Sequence, residues 1–325
     1  MSGATTGTFR QRFAARLVAA TSALACALPG GARERLADLL GGAHYLVARR
    51  AQRDLVRANM RRVCEGLEAA GLATPRVSAA GRDPRRLEDL VRGVYRHHAR
   101  YLVELMRGPT MTPAWLAAHL VLETPETIDA AYARVADGGA LLALGLHFGP
   151  VEMPAIYSAV RSGRRVAGPM EIVDNPPLQA WFTAQRERLG VQAIMPPETA
   201  GPELRRVLRE GGLVGIVADR DIAGSGRPTR LFGSPAPLSG GPALLALESG
   251  VPTYAVAIRR IGWSRYAGRM EPLDVPTGGS LRQRVEAFME GEARAFERLV
   301  AAAPEQWWAL LFPIWPDLVP PATRA

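Results

Sequence analysis

With 325 residues, 48% hydrophobic and 22% charged, the chain is long enough to bury a full core and lies outside the composition of disordered proteins. All 40 basic residues are arginine, which excludes a conventional P-loop and Schiff-base chemistry, both of which need lysine. Cys26 and Cys64 alone can build neither a disulfide framework nor a four-cysteine metal site, and a reducing compartment is the default expectation. The net charge of +9 suits an anionic membrane surface, or substrates carrying phosphate or coenzyme A. The arginines are spread along the whole chain, with no zinc-finger spacing, basic-region zipper or aromatic-interleaved stripe, so no nucleic-acid partner is expected.

In chain order, residues 13–29 follow two arginines and resemble the apolar region of a signal peptide, but Arg16 interrupts the run. At about 100° per residue, Phe13, Leu17, Leu24 and Leu28 share one side of a helix and Arg12 and Arg16 lie away from it. That pattern reads as an interfacial amphipathic helix, with a helix packed on the core as the equal alternative. No apolar run reaches the ~18 residues of a membrane span. Three further helices are expected: one around Leu36–Leu46, one over Leu55–Leu67 ended by Gly71, and one over Leu87–Leu105 ended near Gly108. His97 and His98 sit side by side in the last of these. Adjacent helical positions cannot face one site, so they read as packing or surface residues rather than metal ligands.

From residue 124 the pattern changes. Thr124-Pro125-Glu126 reads as a capped helix start, and Gly138-Gly139 as its end. Strands are expected over 140–146, near 165–169, near 191–195, over 213–218 and over 251–258. They alternate with helices over 177–189, 202–210 and 241–249, and a long helix over 280–302 closes the series before the aromatic, proline-bounded segment 304–316. This alternation implies an α/β fold with a central mixed, largely parallel sheet flanked by helices. Active sites of such sheets form where strands end and helices begin.

Two of those junctions carry suitable chemistry. His147 follows the first strand, Gly149-Pro150 marks a turn, and Glu152 falls on the next helical turn. An imidazole there can act as general base on an alcohol, with a carboxylate orienting the ring. His-x-x-x-x-Glu also arises by chance, and its place after a buried strand is what points to function. Asp219-Arg220-Asp221 follows the strand 213–218 and opens a loop, Ile222-Ala223-Gly224-Ser225-Gly226. It reads either as a solvated ion-paired loop or as a second carboxylate facing His147. Ser239-Gly240-Gly241 opens a helix whose free N–H groups suit an anion, the plain alternative being an ordinary helix start. Arg186 can hold a phosphate or carboxylate bidentately. There is no G-x-S-x-G elbow and no G-x-G-x-x-G, so neither an α/β-hydrolase nor a dinucleotide fold is indicated.

Together these segments resemble the lysophospholipid acyltransferase superfamily, in the branch of the lipid A and phosphatidylinositol mannoside acyltransferases. The likeness rests on His147 to Glu152, Asp174-Asn175-Pro176 with Trp181 and Arg186, Asp219-Arg220-Asp221 with Gly224, Phe232-Gly233, Gly241-Pro242-Ala243 and Pro304-Glu305-Gln306-Trp307. It implies a glycerol-3-phosphate acyltransferase-like fold and transfer of an acyl chain from acyl-CoA or acyl carrier protein to a lipid hydroxyl, without metal or other cofactor. It further implies that His147 is the base, aided by Glu152 or Asp219. Arg186, Arg220, Asp221, Ser239, Gly240 and Gly241 are then expected to bind substrate, with Asp221 an alternative to Asp219 and Arg188 to Arg186. The short N-terminal segment is closer to the mannoside branch, so the expected acceptor is a phosphatidylinositol mannoside. A lipid A-type or lysophospholipid acyltransferase is the alternative, and a thioesterase or a non-catalytic lipid-binding homologue a further one. The expected arrangement is a helical, membrane-contacting portion over 1–123, an acyltransferase core over 124–316 and a tail over 317–325. The expected location is peripheral, on the cytoplasmic face of the inner membrane, against its anionic leaflet.

Overall fold

The computed structural model describes residues 7–196, 199–222 and 224–319, so Ala223 and the end of the 317–325 tail lie outside the described residues. The N-terminal part is helical: α1 (Phe9–Ala27), α2 (Gly30–Val47), α3 (Arg50–Ala69), α4 (Pro75–Arg82), α5 (Pro84–Met106) and α6 (Pro113–His119). The short helices α4 and α6 were hidden from periodicity by their length. Each is marked by a threonine cap followed by proline, Thr74-Pro75 and Thr112-Pro113.

The α/β part runs β1 (Leu120–Leu122), α7 (Pro125–Ala136), β2 (Leu141–Gly145), α8 (Met153–Ser162), β3 (Val166–Pro169), α9 (Pro176–Arg188), β4 (Val191–Ile194), α10 (Gly201–Arg209) and β5 (Leu213–Val217). It continues with β6 (Arg227–Leu231), β7 (Ser234–Leu238), α11 (Gly241–Ser249), β8 (Thr253–Gly262), β9 (Arg265–Leu273) and α12 (Leu281–Ala301). The main sheet has seven strands in the order β1-β9-β8-β2-β5-β3-β4. Strands β8, β2, β5, β3 and β4 run parallel, and the antiparallel β8–β9 pair makes the sheet mixed. The fold class is thus the expected one.

Consecutive residues of each strand feed opposite faces, as the two-residue repeat demands. Leu141, Val166, Leu213 and Tyr254 pack with α7 residues such as Ile128 and Val135, whereas Leu142, Ala167, Val214 and Ala255 join the larger core with α3, α5 and α12. Burial on both faces explains why these strands read as apolar runs rather than alternating ones.

Two features of the loops and caps depart from expectation. The segment after β5 is a loop followed by the hairpin β6–β7, whose Pro228, Pro235 and Pro237 masked its strand character. Proline is tolerated because this two-stranded ribbon has free edges. Its turn needs positive φ at both Phe232 (48°) and Gly233 (78°). Thr124 does not cap α7; its hydroxyl instead exchanges hydrogen bonds with the backbone of Met270 on β9. Helix α1, whose facing the periodicity left open, rests on the body through the small residues Ala15, Ser22 and Ala25 and leaves Phe9, Phe13, Leu17 and Leu24 exposed. No described helix is long and apolar enough to cross a membrane.

Candidate active site

The sheet register brings His147 and Asp219 together. Gly145, the last residue of β2, pairs with Val217, the last of β5, so the residues two beyond each strand leave the sheet side by side. The Ala218 N–H donates to the Gly145 carbonyl at 2.9 Å and prolongs the ladder to the edge of the site. There the His147 Nδ1 lies 2.6 Å from Asp219 Oδ1, and the His147 backbone N–H donates to Oδ2 at 2.9 Å. A third donor, the Trp307 indole N–H, reaches Oδ2 at 2.6 Å.

Asp219 is fully buried. Burial alone pushes its carboxyl upward, but the facing imidazole and the three donors outweigh that and hold it below the usual carboxylate range. An ionised carboxylate only accepts hydrogen bonds, so Nδ1 carries a proton, and in the neutral ring Nε2 presents its lone pair. Nε2 makes no hydrogen bond to any described residue, while the ring keeps an exposed edge. That is the protonation pattern of a general base.

The loop bearing His147 is clamped by the segment that follows α12. The Trp308 N–H donates to the His147 carbonyl, the Gly149 N–H donates to the Gln306 carbonyl, and Phe148 and Trp307 form an isolated antiparallel bridge. The Gln306 side chain brackets Arg260 of β8, accepting from its N–H and donating to its carbonyl, each at 2.8 Å. The Trp308 ring stands edge-on to His147 at 4.7 Å and stacks on Tyr101 of α5 at 4.5 Å. Gly149 has φ of 55°, and a Cβ there would lie 2.2 Å from the Ile258 carbonyl oxygen, so only glycine allows this approach.

Glu152 does not touch the imidazole. It binds Arg186 of α9, whose NH2 group lies 2.5 Å from Oε1. Burial works against the Arg186 charge, but Glu152 more than compensates and raises its pKa. The pair lines a cleft, open to solvent and with about 530 Å³ of empty space including that opening, together with Pro150, Met153, Ile156, Trp181, Phe182 and Leu189 and with Tyr101, Leu105 and Met111. The cleft therefore begins in the segment that leaves His147, and its lining is mainly apolar. Arg188 is exposed and lines no part of it.

The remaining candidate residues lie elsewhere. Asp221 accepts from the Ser225 and Gly226 N–H groups and closes its own loop. Arg220 lies over the Phe312 ring at 3.9 Å. Ser239 accepts from the Gly241 N–H at the start of α11, with Gly240 as the N-cap, and neither these nor Asp221 bond the dyad. His97 and His98 are indeed packing residues: His97 contacts the Arg260 guanidinium, and burial holds the His98 ring, set against Trp308, down at about 4. Sequence reading gave Trp307, Trp308 and Gln306 no structural role, because their partners are far away in the chain.

Comparison with known proteins agrees with this geometry. Residues 8–313 match the family described as bacterial lipid A biosynthesis acyltransferase. Among curated relatives, the chain is 31% identical over 284 residues to a phosphatidylinositol mannoside acyltransferase of Mycobacterium tuberculosis (strain CDC 1551 / Oshkosh), covering 84% of this chain and 80% of that protein. Another so named, from Mycolicibacterium smegmatis, is 30% identical over 240 residues, covering 70% of this chain and 73% of its own length.

Proposed function

The chain belongs to the bacterial lipid A biosynthesis acyltransferase family, and from that premise we propose that it moves a fatty acyl chain from a thioester donor, acyl-CoA or acyl carrier protein, to a hydroxyl of a phosphatidylinositol mannoside. The observation that carries the reading is the His147–Asp219 dyad beside an apolar cleft that starts at Pro150 and Glu152. His147 Nε2 takes the proton from the acceptor hydroxyl as its oxygen attacks the thioester carbonyl. Asp219 steadies the imidazolium that forms, and collapse of the tetrahedral intermediate breaks the C–S bond and expels the donor's thiolate, which takes the proton from the imidazolium and leaves as a thiol.

The cleft holds the acyl chain. Arg186, fixed by Glu152, lines it and offers positive charge to the developing oxyanion or to an anionic head group. The N–H groups of His147, Phe148 and Gly149 are already bonded within the protein, so stabilisation of the oxyanion falls to groups beyond that loop. Neither metal nor other cofactor enters this mechanism.

The enzyme works peripherally at the cytoplasmic face of the inner membrane. What supports this is the exposed row Phe9, Phe13, Leu17 and Leu24 on α1, with Leu39, Leu46 and Val47 on α2, on a chain of net charge +9. Incubation with labelled acyl-CoA and a panel of membrane lipids, including phosphatidylinositol mannosides, tests the proposal. Acceptor-dependent labelling that His147→Ala abolishes while the circular dichroism spectrum is kept is the expected outcome. Release of free fatty acid without an acceptor points instead to a thioesterase, and near-normal turnover by the alanine variant overturns the role of the histidine.

A further inference from the structure

A buried carboxylate must be ionised to orient an imidazole, yet the protein interior penalises that ionisation. Asp219 meets this penalty with three donors, of which two come from the catalytic histidine itself and one from a side chain 88 positions away. Glu292 on α12 makes the requirement sharper. It is a fully buried acid, neither of whose carboxyl oxygens finds a hydrogen-bond partner among the described residues, and the charge of Asp219 acts on it. Two neighbouring carboxyls cannot both ionise cheaply in such a place, so something must decide which one carries the charge.

We propose that Trp307 is a positioning residue for the transfer reaction: its indole N–H selects Asp219 as the ionised member and locks that carboxylate onto His147 Nδ1. The inference rests on the proposed role of the dyad. Three observations carry it. The indole donates to Oδ2 at 2.6 Å, while the imidazole engages Oδ1, so the two donors hold opposite oxygens and fix the carboxylate plane. The Trp307 ring is buried between Phe232 at 5.4 Å and Trp315 at 6.3 Å, and has no room to swing away. Its backbone bridges Phe148, so the same residue fixes the loop of the base and the carboxylate that serves it.

The groups that act on Asp219 are His147 from the β2–α8 loop, Trp307 from the C-terminal segment and Glu292 from α12. Trp307→Phe keeps an aromatic ring and removes only the donor and part of the volume. A hydrogen bond to a charged group is worth enough that kcat should fall by roughly 10- to 100-fold. KM should stay nearly unchanged, because Trp307 does not line the cleft. Loss of the donor raises the Asp219 pKa, so the acid limb of the pH–rate profile should move to higher pH. Trp315→Phe, which loses an indole bonded to the Leu231 carbonyl in the same aromatic cluster, should lower thermal stability without moving that limb. Equal displacement of the limb in both variants, or in neither, overturns the proposal.

Should Trp307→Phe fail to fold, the wild-type protein labelled with 15N-tryptophan decides the matter. One downfield indole N–H resonance should move on Asp219→Asn, while the indole of Trp315 stays in place. No displaced indole resonance refutes the lock, whereas inactivity of the wild type towards every thioester and acceptor would remove the proposed reaction and leave the spectroscopic test standing.

Discussion

Replacing Phe13, Leu17 and Leu24 together by serine tests the membrane-facing role of α1. These side chains are 59%, 58% and 57% exposed, so little folding stability depends on them and the body of the protein should stay intact. Full burial of such a side chain is worth about 1.5–3 kcal/mol, and a little over half of each is available to the bilayer, which gives roughly 1–1.5 kcal/mol apiece. Three of them sum to about 3–4.5 kcal/mol, or two to three orders of magnitude in partitioning. Co-sedimentation with phosphatidylinositol-containing vesicles should therefore fall by at least about 100-fold. The melting temperature should change little. The net charge of +9 adds a salt-sensitive component, so binding of the wild type should weaken but persist in high salt. Vesicle binding by the triple variant within threefold of wild type would refute the idea that this face meets lipid.

Two further outcomes follow from the buried carboxyls. Asp219 has a depressed folded-state pKa, so its contribution to stability is present above the ordinary carboxylate pKa and is lost as pH falls through the depressed value. Asp219→Asn should flatten the acid side of the stability curve, seen in urea melts from neutral to strongly acidic pH, and should also abolish most turnover. Glu292 behaves in the opposite sense: its raised pKa means that stability falls as pH climbs from the ordinary carboxylate pKa towards the raised value. Glu292→Met should stabilise the protein by about 1–3 kcal/mol near neutral pH and by less near pH 4, since it removes an unpartnered buried acid. A variant less stable than wild type at neutral pH would show that the acid has a partner after all.

Much of this site was legible in the sequence, and the reason is topological. A strand ending in a histidine and another ending in an aspartate meet only if the strands are neighbours in register, and β2 and β5 are. Apolar runs flanked by glycine and proline revealed both strands. Which carboxylate would serve the ring was not legible, because Glu152 and Asp219 have similar claims by spacing, and only the fold sends Glu152 to Arg186. The tryptophan that completes the dyad was unreadable for a different reason: no local pattern encodes a contact across 88 residues. Strand β9 escaped notice because its arginines and glycine, as in Arg265 and Gly268, break an apolar run. Its identity comes from pairing with β8 and β1 rather than from propensity. In α1 the periodicity was visible and the facing was open. The structure resolves it by packing the small residues inward and leaving the bulky ones outside.

The clamp formed by Gln306, Trp307 and Trp308 has a consequence for synthesis. Helix α1 is made well before the residues that fix His147 and Asp219, which follow α12. In a nascent chain the strands that carry the histidine and the aspartate can therefore form while the dyad is still unclamped, and the site is complete only once the segment after α12 has been made. A chain stopped just before Gln306 should keep the strands that carry His147 and Asp219 and yet transfer nothing.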